Sequence, residues 1–334
     1  MKRILLFTIL IFPCLSLAAQ NGSSAGKDGR VTFDMTLKNK FEYDFIAEQM
    51  RFEVRNSRLG LKGNLNDNIS FRTQVELSNS GKFEVLDIFG TFRFDNGLRI
   101  SFGQQPVSLY NDYMTGPNQM MFANRTFSAK YITSTRDIGV MAFYGFEAGG
   151  VPFQAEAGVF NGGKINQPVW TDRPGYSARL IAGSNEGWRT SVKYYRYPYS
   201  TTSDLVMWGA DFRYAARNIR LEGEAINRNN IATGEPMFAP SIQGAYTFPL
   251  KSGTLFRSIT PAARWDSMGY DYIKRGADVN RLTFGVALGL AQKSFTSLLR
   301  IDYENFFIRS DIPELHLNGE NENDKITLEL VIVF

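Results

Sequence analysis

Residues able to do covalent or metal chemistry are scarce in this 334-residue sequence, which has one histidine, His316, and one cysteine, Cys14. A His/Cys metal site needs several such ligands and a disulfide needs two cysteines, so no metal, cofactor or disulfide framework is expected. His316 lies near Glu314 and Asp311, which leaves an acid–base site on a loop conceivable. Catalysis would need a base beside a nucleophile or an activated water, and a lone loop histidine is ordinarily just solvated. No phosphate-cradling glycine loop or nucleophile elbow accompanies it. The chemistry present in quantity is charge, with 37 Lys+Arg against 33 Asp+Glu. That balance is too even for nucleic-acid binding or a polybasic membrane patch. What arginine can do is pair bidentately with carboxylate or phosphate while staying charged. Rows of it in a wet cavity with low-dielectric walls attract anions.

The charged residues sit in a two-residue alternation, the period of β-strands. Ile69, Phe71, Val75 and Leu77 alternate with Ser70, Arg72, Gln74 and Glu76; Val206, Trp208, Ala210, Phe212 and Tyr214 alternate with Met207, Gly209, Asp211 and Arg213. Sixteen such segments follow one another: 31–43, 50–64, 69–79, 84–95, 97–107, 136–147, 151–161, 174–184, 187–199, 204–217, 219–230, 239–250, 256–270, 278–291, 294–309 and 324–334. In 50–64 the apolar parity changes between Phe52/Val54 and Leu59/Leu61, a conflict that a β-bulge would resolve.

Residues 1–19 have a short positive start at Lys2 and Arg3, an apolar stretch and small residues at Leu17-Ala18-Ala19, the anatomy of a secretory signal peptide cleaved near Ala19. A flexible leader, 20–30, precedes the strand-bearing body, 31–334. Cleavage removes Cys14 and the charges of Lys2 and Arg3. Beyond residue 20 no run of about 18 apolar residues exists, so no transmembrane helix is expected. With 27 Phe and 15 Tyr the chain is also too rich in apolar area to stay disordered.

The connections alternate in length. Short turns at 66–68, 95–97, 148–150, 185–187 and 217–218 alternate with longer ones at 108–135, 161–173, 230–238, 271–277 and 310–323. A transmembrane barrel has this asymmetry, short on the periplasmic side and long outside. A closed barrel also explains 14% aromatic residues in a chain only 43% hydrophobic, since half of each strand faces lipid and half faces water. The fold class expected is therefore all-β, a transmembrane antiparallel barrel of about 16 strands. A secreted two-sheet sandwich alternates as well, and alternation alone does not separate the two.

Specific residues add a resemblance. Gly103-Gln104, Arg136-Asp137-Ile138-Gly139-Val140, Gly158-Val159-Phe160-Asn161-Gly162 and Leu282-Thr283-Phe284-Gly285, taken as an ordered set, resemble the phosphate-selective porin family, the O and P type porins, in a divergent form. The end of the chain, Ile326 to Phe334, is similar to the last strand of an outer-membrane barrel, and by that resemblance Phe334 would be read by the barrel-assembly machinery. The resemblance implies a homotrimeric porin in the outer membrane of a Gram-negative bacterium, in contact with its lipid. It implies too that the long third outer loop, 108–135, folds into the lumen, where Tyr110, Asp112, Asn118, Gln119, Asn124, Arg125 and Lys130 would line a constriction. Otherwise this is a surface loop with Tyr113, Met120, Met121 and Phe122 on the rim. Alternation assigns Arg72, Arg93, Arg99, Arg179, Arg189, Arg213, Arg264 and Arg300 to the lumen, opposite carboxylates including Asp87, Asp211, Asp266, Glu304 and Glu329. Where the family commonly carries a lysine after Gly-Gln and an acidic residue before the loop arginine, this sequence has Gln105-Pro106 and Asn124-Arg125. The expectation is passive diffusion of small hydrophilic or anionic solutes with a weak anion preference. The alternative is a barrel with an enzymatic, structural or adhesive role.

Overall fold

The structure, a computed structural model, describes residues 31–77, 81–110, 116–117, 119–251, 255–291, 296–319 and 321–334. Each alternating segment needs a partner on both sides to satisfy its backbone, and each finds two. The first strands are β1 (Thr32–Asp44), β2 (Gln49–Val54 and Ser57–Asn64), β3 (Ile69–Leu77) and β4 (Phe83–Arg93). They are followed by β5 (Leu98–Pro106), β6 (Arg136–Ala148), β7 (Val151–Phe160) and β8 (Gly175–Gly183). Then come β9 (Gly187–Pro198), β10 (Asp204–Ala216), β11 (Ile219–Asn230) and β12 (Glu235–Tyr246 and Phe248–Pro249). The chain closes with β13 (Ser258–Tyr270), β14 (Val279–Gly289), β15 (Leu298–Ile308) and β16 (Lys325–Val333). All pairings are antiparallel, and β1 pairs with β16 from Thr36↔Val333 to Asp44↔Lys325, which closes the sheet into a 16-strand barrel.

The burial pattern is inside out. Lys38, Lys40, Glu42, Asp211, Arg264, Arg281 and Arg300 are buried, whereas Phe52 is 80% and Phe102 66% exposed. In water that would be unstable; in hydrocarbon it is what a closed β-structure requires. A sandwich in water predicts the reverse.

The β2 strand contains the bulge that the parity change called for. Val54 pairs with Asn39 but Arg58 with Thr36, so β2 carries one extra residue, and Asn56 takes it up at φ 56°. Phe52 and Leu61 thereby both point outward. A second bulge in β4 at Leu86 shifts the register between Gln74↔Asp87 and Val75↔Val85. Between β6 and β7 the two-residue turn Gly149-Gly150 has positive φ at both positions, 60° and 75°, which side-chain-bearing residues adopt only at a cost.

One expectation is corrected. The connection assigned to 230–238 is only the turn 231–234, because β12 begins at Glu235, with Pro236 and Pro240 inside it opposite Asn229 and Ala225. Proline removes a ladder donor but keeps an extended φ, and here pairing along the remaining positions carries the strand through. The other outer connections, 107–135, 161–174, 271–278 and 309–324, keep their excess length over most turns at the opposite end.

Candidate functional site

Segment 119–133 has no sheet to satisfy its backbone, so other groups must do so. The inward-facing charged side chains serve this role. Met120 O accepts from Arg300 Nη1 at 2.8 Å, Ala123 N donates to Asp302 Oδ2 at 2.7 Å, and Ala123 O accepts from Lys38 Nζ at 3.3 Å. Asn124 O accepts from Arg264 Nη1 at 2.7 Å, and its side-chain amide donates to Glu304 at 2.8 Å and Glu42 at 3.3 Å. Arg125 O accepts from Arg281 Nη2 at 2.7 Å, and Phe127 N donates to Asp266 Oδ2 at 2.9 Å. A short helix, α1 (Phe127–Tyr131), continues the segment, with Thr126 Oγ1 accepting from Ala129 N and Ser128 Oγ donating to Glu224 at 2.9 Å. These partners come from β1, β11, β13, β14 and β15, remote in sequence from β5 and β6, which the segment connects.

The same charges are paired among themselves. Arg281 meets Asp266 at 2.6 Å and Glu304 at 2.8 Å, Arg264 meets Glu304 at 3.1 Å, and Lys38 meets Glu329 at 2.9 Å. Arg179 and Lys193 share Asp211, at 3.2 and 2.9 Å, and Arg213 meets Glu222 at 3.2 Å. The guanidinium of Arg281 lies 4.5 Å from the Phe127 ring centre and that of Arg264 4.7 Å from Phe122, within range of cation–π attraction. Arg179, Arg213, Arg264 and Arg300 are thus buried fasteners of this wall. Arg189 lies 3.8 Å from Asp211 and bonds Asn185 at 3.1 Å. Tyr110 Oη donates to Thr133 O and accepts from Thr133 N, which ties the two ends of the connection. Lys130 contacts Glu322.

Opposite this wall lies a cavity of ≈ 270 Å³, bordered by Asp34, Arg58, Arg72, Gln119, Arg125 and Arg136 among others. Three of its arginines have carboxylate partners: Arg58 with Glu76 at 2.6 Å, Arg136 with Asp87 at 2.6 Å, and Arg72 with Asp34. Arg125 differs. Among the described residues no carboxylate lies within ion-pair distance of it, and its buried Nε has no hydrogen-bond partner. Burial and the like charges of Arg58, Arg55 and Arg136 outweigh the pull of Glu76 and bring its guanidinium down to about 9. It stays charged at neutral pH and is stabilised by any anion that approaches.

Arg72 also borders a second cavity, of ≈ 330 Å³, with Thr32, Lys62, Asn64, Ser70, Thr91 and Arg93. Because a strand rises about 3.3 Å per residue, Thr32 places this cavity below the one reached by Asp34 and Thr36, toward the short-turn end. Lys62 and Arg93 are exposed there, Arg93 within 3.4 Å of Asn64 Oδ1. Arg99 donates to Gln154 at 3.0 Å and stacks over Phe143.

Asp112 and Asn118 lie outside the described residues. Phe334 is exposed at the chain's end, its N and O both bonded to Met35. His316 Nε2 meets Asp311 Oδ1 at 2.7 Å with both side chains open to solvent, and the described residues contain no cluster of three or more metal-ligating side chains. Lys38, Lys40 and Glu42 were legible as an alternating set against Leu37, Asn39 and Phe41 but were not singled out. Arg58 and Lys62 lay beyond the β2 bulge, where simple parity fails.

The family model described as phosphate-selective porin O and P matches residues 27–228. No curated protein matches the chain in sequence. Solved structures share the fold at low identity. An anion-selective porin from Comamonas acidovorans is 13% identical with a TM-score of 0.63, over 92% of this chain and 100% of that one. OmpF of Salmonella typhi, solved in complex with daunomycin, is 10% identical with a TM-score of 0.65, over 92% and 98%. OmpT of Vibrio cholerae in a trimer form is 14% identical with a TM-score of 0.61, over 92% and 100%.

Proposed function

The chain belongs to the phosphate-selective porin O and P family, and from that premise we propose that it conducts solutes along an off-centre, arginine-lined path that prefers anions. As an outer-membrane porin it works by passive diffusion. The observation that carries the anion preference is the lining of the two cavities: Arg58, Lys62, Arg72, Arg93, Arg125 and Arg136 stand against Asp34 and Asp87, with Glu76 beside Arg58. On this reading, segment 119–133 runs inside the barrel, seals the wall β10–β16 together with Lys38 and Glu42 of β1 by its hydrogen bonds, and leaves the first residues of β1 and the wall β2–β6 to the solute. Tyr110, Gln119 and Arg125 then border the narrow part. Asn124 and Lys130 instead anchor the loop.

Fixed cations beside low-dielectric walls raise the local anion concentration, and Arg125, with no carboxylate in ion-pair distance among the described residues, is the group of this lining whose field carboxylates compensate least. Gln105-Pro106 in place of the lysine that the family commonly carries after Gly-Gln argues for a preference rather than a tight phosphate site. By analogy with the trimeric Vibrio cholerae protein we propose a homotrimer, inserted with the help of the barrel-assembly machinery, reading Phe334, after cleavage near Ala19. A channel rather than an enzyme is the reading that family and fold support.

The test is the reversal potential of single channels in a KCl gradient, with and without phosphate. Anion preference and partial block by phosphate are expected, both weakened in Arg125→Ala. A clear cation preference in the wild type would sink the proposal.

A further inference from the structure

A water-filled barrel should be polar inside throughout, yet the outer ends of β10–β14 present apolar residues on the inward parity. Met207, Ile226, Met237, Met268 and Val279 alternate with outward residues and are fully buried. They form one apolar cluster with Phe127, Tyr131 and Ile132 of segment 119–133 and with Ile312 and Leu315 of the last outer connection, 309–324. Apolar side chains on a lumen wall are stable only where something dry covers them. Here two loops do so together.

The polar contacts between these loops are specific. Glu322 Oε1 receives both Lys130 Nζ and Tyr131 Oη. Glu314 Oε1 receives Arg228 Nη2 at 2.9 Å and Tyr270 Oη at 2.6 Å, while Arg228 Nη1 donates on to Tyr131 O at 3.2 Å and Ile132 O at 3.3 Å. Arg228 therefore bridges the wall, helix α1 and the last connection. The connection is itself tied down at its far end, where Asn323 donates to Asp44 at 3.1 Å and Asp324 Oδ1 accepts from Phe306 N at 2.7 Å. Because α1 leads directly from Arg125, whatever holds α1 also holds the guanidinium that borders the conducting cavity.

We propose that connection 309–324 is a second size-setting element of the channel, a strap that pins α1 against the far wall through Glu322 and Glu314 and so fixes how wide the path beside Arg125 can be. This rests on the porin reading and on the inward course of segment 119–133. It predicts that solute size is set by two loops, remote in sequence, acting as one body.

The experiment compares wild type, E322Q, an E314Q/E322Q double variant, and a variant with 312–321 replaced by a short Gly/Ser link. Single-channel conductance and liposome swelling with sugars of graded size are read, and folding is checked by heat-modifiable gel mobility. The link variant should show about a twofold rise in conductance and admit larger sugars, because the dry half of the lumen opens to water. The point variants should show added open-channel noise. His316→Ala, in the same connection but solvated, should behave as wild type. A folded link variant with wild-type conductance and wild-type exclusion overturns the strap. Should that variant fail to fold, quiet wild-type traces from the folded double variant overturn it instead. A wild type that conducts nothing removes the porin reading itself, which is a distinct failure.

Discussion

At the scale of single residues, the difference between a structural and a conducting arginine is whether a carboxylate already neutralises it. Arg281 touches Asp266, Glu304 and the Phe127 ring and is wholly buried. Removing one partner of a buried pair leaves an uncompensated charge and typically costs about 3–5 kcal/mol, so Arg281→Ala should unfold at markedly lower temperature or fail to reach the heat-modifiable form. The backbone carbonyl of Arg125 loses its hydrogen-bond partner in the same variant. Arg125→Ala, in contrast, should fold normally and weaken only the shift in reversal potential and the block by phosphate. The two variants separate holding the loop from attracting the solute, and equal effects on stability would contradict the separation.

At the scale of elements, the β2 bulge absorbs one residue so that Phe52 and Leu61 share the lipid face while Arg58 and Lys62 face inward. Deleting Asn56 would remove the extra residue and leave a regular strand with the same faces, whereas inserting one residue between Leu59 and Gly60 would reverse the parity of Gly60–Asn64 and turn Lys62 toward lipid. A base on the lipid face of a barrel costs about 2–4 kcal/mol near the midplane. The expected outcome is loss of the folded band on unheated gels for the insertion and its retention for the deletion; a folded, conducting insertion variant would mean that the register can slip without penalty. The strap makes a different prediction, concerning pH. Burial works to raise the Glu322 carboxyl, but Lys130, Lys325 and Arg281 outweigh it and hold it well below the ordinary carboxylate range. A group depressed in this way contributes stability above its unfolded pKa and loses it only as pH falls through the folded value. Conductance should therefore match between about pH 7 and pH 5 and become noisy only under stronger acid.

At the scale of the whole molecule, the barrel is asymmetric in charge and in hydration. One wall carries paired charges and an apolar cluster under two loops, and the other carries the cavities and their surplus of basic side chains. The anion preference should accordingly shrink as ionic strength rises, since fixed charges facing water are screened over about 10 Å at 0.1 M salt. Reversal potentials at a fixed gradient ratio but increasing mean KCl would read this, and a preference independent of salt would contradict it.

How much of this the sequence carried follows from the range of each interaction. Strand number, closure-compatible length and the lipid-facing parity were legible because they rest on a two-residue period and on local turn chemistry such as Gly149-Gly150. The bulge at Asn56 was legible as a parity conflict, whereas the start of β12 was not, because Pro236 and Pro240 signal a break that pairing on both flanks overrides. Candidate charges could be sorted to the inner face but not into free and paired. Arg264 and Glu304 lie 40 residues apart, and Lys38 and Glu329 are joined only by barrel closure. A membrane barrel with basic residues inside was thus the expectation readable from residue order, turn lengths and family resemblance. Which of those basic residues are neutralised emerges from the closed barrel alone, since the field at any point in the lumen depends on neighbours that register and closure bring together.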